Sequence, residues 1–260
     1  MNMGLIHHRL SKLLPDGKGL WVPIDHPVSD FPIKGLKNIK AAVHHLSEAD
    51  ALVAHKGVVS KYNDNSTTPF VMHLSASTRH GGERSADKIL VGSVAEALSR
   101  GALAVSVQVN LGDKFEPDML GRLGMISEAC HELEVPLLGM IYARGDNLEI
   151  MKGDKTNGYA HAARIAFELG CDVVKSVWTG SKESFAKVVK AAPIPVLVAG
   201  GPAGDPHEVL EMVEQAMSVG AAGVCMGRQI FSSKNPEGMI KALRAIIHDK
   251  MDAVSAQQLL

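Results

Sequence analysis

Three stretches of this 260-residue chain follow one local order: helix, glycine, buried strand. They are Arg100-Gly101-Ala102-Leu103-Ala104-Val105-Ser106-Val107, Leu169-Gly170-Cys171-Asp172-Val173-Val174-Lys175 and Val219-Gly220-Ala221-Ala222-Gly223-Val224-Cys225-Met226. Each glycine suits the left-handed position that stops a helix, and the aliphatic run behind it reads as a strand covered on both faces. Recurrence at intervals of roughly 50–70 residues is the rhythm of parallel βα units. The aromatic share of 4% within 46% apolar residues agrees, because the core must then be mostly aliphatic.

Eight candidate strands follow from this pattern: Gly19–Asp25, Ala51–His55, Pro69–Ser75, Ala104–Asn110, Pro136–Tyr142, Asp172–Trp178, Pro195–Gly200 and Gly223–Arg228. Helical patterns with start signals lie between most of them. Ser93 and Glu96 have capping-box spacing, and Asp205-Pro206-His207-Glu208 and Asn235-Pro236 have the order of cap and first-turn proline. The polar connection Lys56–Thr68 predicts no more than a short helical turn. Eight such units predict a single-domain (β/α)8 TIM barrel over residues 1–260. Residues 1–18 form an N-terminal extension, and 253–260 a C-terminal tail that frays. An open doubly wound sheet is the alternative, but no GxGxxG follows the first strand.

A formal net charge of −1 without a long charge run gives no reason to expect nucleic-acid or membrane binding. No apolar stretch is long enough to span a bilayer, and the N-terminus lacks a signal-peptide core. Cys130, Cys171 and Cys225 are odd in number and far apart, so they read as buried thiols of a cytoplasmic protein.

In such a barrel, chemistry sits at the C-terminal ends of the strands. That places Asp25 and His26, His55 and Lys56, His73 and Ser75, Gln108 and Asn110, Tyr142 and Arg144, Lys175, Gly200 and Gly201, and Gly227 and Arg228 at one end of the molecule. Lys175 is the anomaly, because it lies inside the apolar run Asp172–Trp178. Burial disfavours an ammonium, and a lysine of depressed pKa is the nucleophile that Schiff-base chemistry uses. The plain alternative is a strand-end lysine that reaches water. Strand alternation groups Val173, Lys175 and Val177, without saying which face points inward.

Glycines at the ends of strands seven and eight, with Arg228, suit a phosphate site of backbone N–H groups, although tight turns alone also favour glycine. Lys175 opposite a phosphate suggests a phosphorylated ketone or aldehyde, with Tyr142 and Asp25 available for proton transfer. Tyr142 reads equally as a packed strand-end ring, and Asp25 as a cap or the partner of Lys56. His44-His45 reads as a solvated helix face. His55, His73 and Asp25 have no spacing that supports a metal site, and none is expected. The polar loop Thr78-Arg79-His80-Gly81-Gly82-Glu83-Arg84 suits either a lid over an anionic substrate or a plain surface loop.

Several segments occur together in a known order. They are Val22-Pro23-Ile24-Asp25-His26, His55-Lys56-Gly57, His73-Leu74-Ser75, Val105-Ser106-Val107-Gln108-Val109-Asn110, Tyr142-Ala143-Arg144-Gly145, Asp172-Val173-Val174-Lys175, Ala199-Gly200-Gly201-Pro202 and Gly227-Arg228-Gln229-Ile230-Phe231. From about Trp21 to about His248 the chain resembles the archaeal-type class I aldolases, and among them the 2-amino-3,7-dideoxy-D-threo-hept-6-ulosonate synthases. The resemblance implies Lys175 as the Schiff-base lysine, Tyr142 as proton donor or acceptor and Asp25 as acid/base. It implies a phosphate held by Gly200, Gly201, Gly227 and Arg228, with His26, His55, Lys56 and Arg144 also on the substrate. No metal or other cofactor is implied. The partners implied are a phosphorylated ketose and an aldehyde, aspartate semialdehyde in the synthases, in a homo-oligomer that is often a decamer. Fructose-bisphosphate aldolase, a dihydroxyacetone-phosphate-dependent aldolase of secondary metabolism and the autoinducer-2 thiolase are alternatives within the resemblance. A non-catalytic phospho-sugar binder is the alternative outside it. The chain departs from the family pattern at Pro27 (usually glycine), at Ala143 (usually proline) and in the loop 78–88, so the loops that choose the acceptor are expected to differ.

Overall fold

A computed structural model describes residues 4–149 and 154–260. Eight parallel strands close into a barrel: β1 Gly19–Pro23, β2 Ala51–Ala54, β3 Phe70–His73, β4 Ala104–Leu111, β5 Leu137–Ala143, β6 Val173–Val177, β7 Val196–Ala199 and β8 Gly223–Cys225. Each strand pairs with its neighbours in sequence, and β1 closes the ring on β8 through Trp21↔Cys225. The strands alternate between two cores. Residues such as Trp21, Val53, Val71, Met140, Val173 and Leu197 fill the barrel, whereas Val22, Leu52, Met72 and Val174 pack under the surrounding helices. Lys175 shares the face of Val173, so it points into the barrel.

Most strands stop one to three residues earlier than the pattern suggests. Asp25 lies two residues beyond β1, and His55 is the cap of a helix, Lys56–Tyr62. That helix corrects the expectation for Lys56–Thr68, and the fully buried Val59 pins it to the core. The Ser93 hydroxyl accepts from the Glu96 N–H at 3.1 Å, but the Glu96 carboxylate binds Lys56 and Arg100, so the expected box is only half formed. Asp205 and Asn235 cap as expected.

Residues 4–18 of the extension and 253–260 of the tail are both built into the fold. In the extension, helix Leu5–Leu13 lies against the N-terminal end of the barrel. Leu13 and Leu14 join the interior cluster, and Trp21 Nε1 donates to the Leu13 carbonyl at 2.6 Å. The tail does not fray. Helix Ala253–Ala256 is capped by Asp252, its Ala253 N–H donates to the Glu214 carboxylate at 3.0 Å, and Asn235 Nδ2 donates to the Leu260 carbonyl at 2.7 Å. Among the described residues no helix is long and apolar enough to cross a membrane.

Candidate active site

A cavity of about 290 Å³ opens at the C-terminal ends of β5–β8 and β1. Lys175 lies in its wall with Tyr142, Arg144, Cys225 and the turns Gly200-Gly201 and Gly227-Arg228. The barrel therefore gathers on one cavity most of the residues singled out by sequence. β6 carries Lys175 inward, β5 carries Tyr142 beside it, and the register Met140↔Lys175 keeps the two strands in step. Lys175 is only 8% exposed.

The electrostatics of Lys175 differ from the simple expectation. Burial, the largest influence, disfavours its ammonium. The acids Cys225, Tyr142 and Asp25 outweigh burial and move the pKa above the ordinary lysine value. Burial also pushes the Cys225 thiol up to about 11. At neutral pH the anion facing Lys175 is therefore Asp25, and the resting lysine is an ammonium.

Asp25 sits in the turn after β1. Burial would raise its carboxyl, but His73, His26, Lys175 and His55 together hold it below the usual carboxylate range. His26 Nδ1 lies 3.6 Å from one carboxylate oxygen and His73 Nε2 lies 3.8 Å from the other. His73 is buried, and desolvation brings its imidazole down to about 4. It is thus neutral at physiological pH, with Nδ1 on the Ser106 hydroxyl at 2.8 Å. His55 stands behind it, Nδ1 on the His73 carbonyl at 3.1 Å. From sequence, His73 is placed at the catalytic end of the barrel and weighed as a metal ligand, without a role beside Asp25. Among the described residues no group of three or more His, Cys, Asp and Glu is gathered as a metal site.

The glycine turns have different physical origins. Gly201 has φ +75° with open space where a Cβ would stand. A Cβ on Gly227 would come within 2.5 Å of the Pro23 carbonyl oxygen and 2.7 Å of the Phe231 ring, so close packing of β8 on β1 already demands glycine there. Gln229 Nε2 donates to the Gly200 carbonyl and ties the two turns together. Arg228 is exposed at the rim. Arg144 stacks its guanidinium 4.2 Å over the Tyr142 ring.

Lys56 is not brought to this set. Its ammonium pairs with Glu96 at 3.1 Å on a neighbouring helix, a partner that strand-end reasoning had no means to find. Asp25 is accordingly not its partner. Pro27 opens a 3-10 turn, His26–Val28, which its fixed φ suits, and Ala143 lets β5 run on to pair with Leu111. The loop after β3 is pinned at its base. Asp87 is buried and held by Arg84 at 2.6 Å and Arg122 at 2.5 Å, while Arg79 and His80 stay exposed at the tip. Sequence reading missed Tyr159 in the cavity wall and Lys88 near its mouth, since neither belongs to a strand-end motif.

The chain is similar to known proteins in both sequence and fold. Residues 20–233 match the model of the DeoC/LacD family aldolases. The 2-amino-3,7-dideoxy-D-threo-hept-6-ulosonate synthase 1 of Archaeoglobus fulgidus is 39% identical over 94% of this chain and 91% of its own. The 2-amino-4,5-dihydroxy-6-oxo-7-(phosphonooxy)heptanoate synthase of Streptomyces griseus is 38% identical over 88% of this chain and 84% of its own. An archaeal fructose-1,6-bisphosphate aldolase, solved with its catalytic Lys covalently bound to the carbinolamine intermediate of the substrate, superposes with a TM-score of 0.84. It shows 29% identity over 94% of this chain and 99% of its own.

Proposed function

We infer the reaction from one premise: this chain belongs to the DeoC/LacD aldolase family. It is a class I, Schiff-base aldolase. The observation that carries the residue assignment is the inward-facing, 8%-exposed Lys175 on one cavity with Tyr142 and the two glycine turns. In this reading the Lys175 amine adds to the carbonyl carbon of a phosphorylated ketose. The carbinolamine hydroxyl then takes a proton and leaves as water, giving an iminium. Loss of a proton from the carbon next to the iminium yields an enamine; so does retro-aldol cleavage of that carbon's bond to a hydroxyl-bearing carbon, which gives up its hydroxyl proton and departs as an aldehyde. The enamine carbon adds to the aldehyde carbon of the acceptor, whose oxygen takes up a proton, and the iminium is restored. Water finally releases the product from Lys175.

Tyr142, beside Lys175 in the cavity wall, moves the protons at the imine, and Asp25 is the acid/base for carbinolamine dehydration. Because Lys175 rests as an ammonium, it must first yield a proton to solvent before its amine adds to the carbonyl carbon. Gly200, Gly201, Gly227 and Arg228 hold the phosphate, with His26 between them and Asp25. Arg144 serves the substrate from the rim, His55 acts through His73, and Lys56 has no part.

The product named for the Streptomyces griseus relative is a seven-carbon chain with a ketone beside the phosphate at one end and an amino acid at the other. An aldol disconnection between the hydroxyl-bearing carbons splits it into a three-carbon ketone phosphate and aspartate semialdehyde. We take the acceptor here to be that semialdehyde. The donor is either dihydroxyacetone phosphate, which the product named for the Streptomyces griseus relative supports, or a deoxy-ketohexose phosphate that transfers its ketone fragment.

Borohydride added with each of the two ketones and with fructose 1,6-bisphosphate should fix a covalent mass on Lys175 for the true donor. An adduct on another lysine, or none, overturns the assignment. Lys175→Ala should abolish turnover. Tyr142→Phe should lower it roughly 10²- to 10⁴-fold while trapping persists.

A further inference from the structure

Lys88 is a half-buried cation with no carboxylate of its own. It ends the loop after β3, next to a short two-stranded ladder of Ser75–Ala76 with Ile89–Leu90. Its Nζ donates to the Ser77 hydroxyl at 2.6 Å. The acids around this loop are committed elsewhere: Asp87 to Arg84 and Arg122, Asp30 to Arg79, and Glu83 to Lys114. Among the described residues no acidic oxygen pairs with Lys88.

Burial and the charge of Arg144 both push the Lys88 ammonium down, with Asp25 pulling the other way. The same charge is felt by His55 and His73. Hydrogen bonds place Lys88 at the C-terminal end of the barrel: the Ser77 that holds its Nζ accepts through its carbonyl from the Ser29 hydroxyl in the turn after Asp25, and the neighbouring Ala86 carbonyl accepts from Asn110, which pairs with Tyr142 on the strand of Arg144. Two cations held close together at a poorly solvated mouth destabilise the empty protein, and an anion placed between them reverses that effect. The loop is not free to swing the charge away, because Asp87 anchors it and the Asn110 side chain donates to the Ala86 carbonyl at 2.7 Å.

Position says which anion. The phosphate turns belong to β7 and β8. In an eight-stranded ring β3 lies directly across from β7, and Lys175 on β6 lies between β7 and β5, the strand of Arg144. A substrate with its phosphate at β7–β8 and its carbonyl at Lys175 extends its far end toward β5 and β3. We propose that Lys88, with Arg144 beside it, binds the carboxylate of the acceptor aldehyde and so selects an acidic acceptor. The proposal rests on the aldolase reading above and extends it to the identity of the acceptor.

The experiment has two parts on the full chain. The first compares kcat/KM for aspartate semialdehyde with that for butyraldehyde, using the ketone phosphate that traps on Lys175. The preference for the acidic aldehyde should fall roughly 10²-fold in Lys88→Met, mainly through KM, and be largely restored in Lys88→Arg. An unchanged preference, or an equal loss for both aldehydes, overturns the proposal. The second part measures succinate binding by calorimetry, which needs no turnover. Binding should weaken at least about tenfold in Lys88→Met and persist in Lys88→Arg, and equal binding by all three proteins overturns the proposal. The two readings fail separately. A chain that binds succinate through Lys88 but traps no ketone refutes the Schiff-base assignment and keeps the carboxylate site. A chain that traps ketone without any dependence on Lys88 does the reverse.

Discussion

Lys175 and His73 show how far residue identity alone carries the argument. A lysine inside an apolar strand is visible in sequence, and it pointed to Lys175. Which way its pKa moves is not visible, because Tyr142, Cys225 and Asp25 come from three other parts of the chain. His73 is the opposite case. Nothing in its segment marks it, yet burial brings its imidazole from the ordinary 6.5 to about 4. The sign follows directly. The unfolded chain takes up a proton near pH 6.5 and the folded one does not, so stability is lost as pH falls from about 6.5 to about 4, and no further on this account below that. The loss amounts to about 3 kcal/mol. His26 and His55 are shifted the same way, so the measurement is a difference. Urea unfolding of wild type and His73→Gln at pH 7 and pH 4.5 should show the smaller drop in the variant. Equal drops would mean that His73 is not held neutral.

At the scale of elements, the glycine turns were legible as a pair, and their reasons were not. Gly201 needs its left-handed φ, whereas Gly227 needs space, because β8 lies against the end of β1 and Phe231. Gly227→Ala should displace the β8 turn. It should cost about 1–3 kcal/mol of stability and raise KM for the phosphorylated substrate, with a smaller change in kcat. Denaturant midpoints and steady-state kinetics check this, and an unaltered KM would separate the turn from phosphate binding. The strand-end rule also gathered residues that do not line the cavity, among them Ser75, Gln108 and Lys56. Lys56 lies two residues beyond β2, as His26 lies three beyond β1, but a helix begins there and turns its ammonium toward Glu96. The rule assigns residues to an end of the barrel, and only the local backbone decides which of them face its axis.

For the whole molecule, the extension and tail were read as appendages and are parts of the core. Leu13 is fully buried against the barrel interior beside Trp21, so Leu13→Ala should destabilise the protein by about 2–5 kcal/mol while leaving borohydride trapping at Lys175 intact. A lower urea midpoint with unchanged trapping is the expected result. Unchanged stability would mean that the helix is not part of the cooperative unit. By itself the sequence determined the βα rhythm, the eight strands, the aliphatic core and the set of residues near the strand ends, because these depend on neighbours in the chain and on side-chain periodicity. Only the tertiary structure decided that Lys175 faces inward, that Asp25 lies among His26, His55 and His73, that Lys56 leaves the site and that Lys88 enters its mouth. Those outcomes depend on charges and surfaces brought together from distant strands, and the field at each group is a sum over neighbours that no local pattern contains.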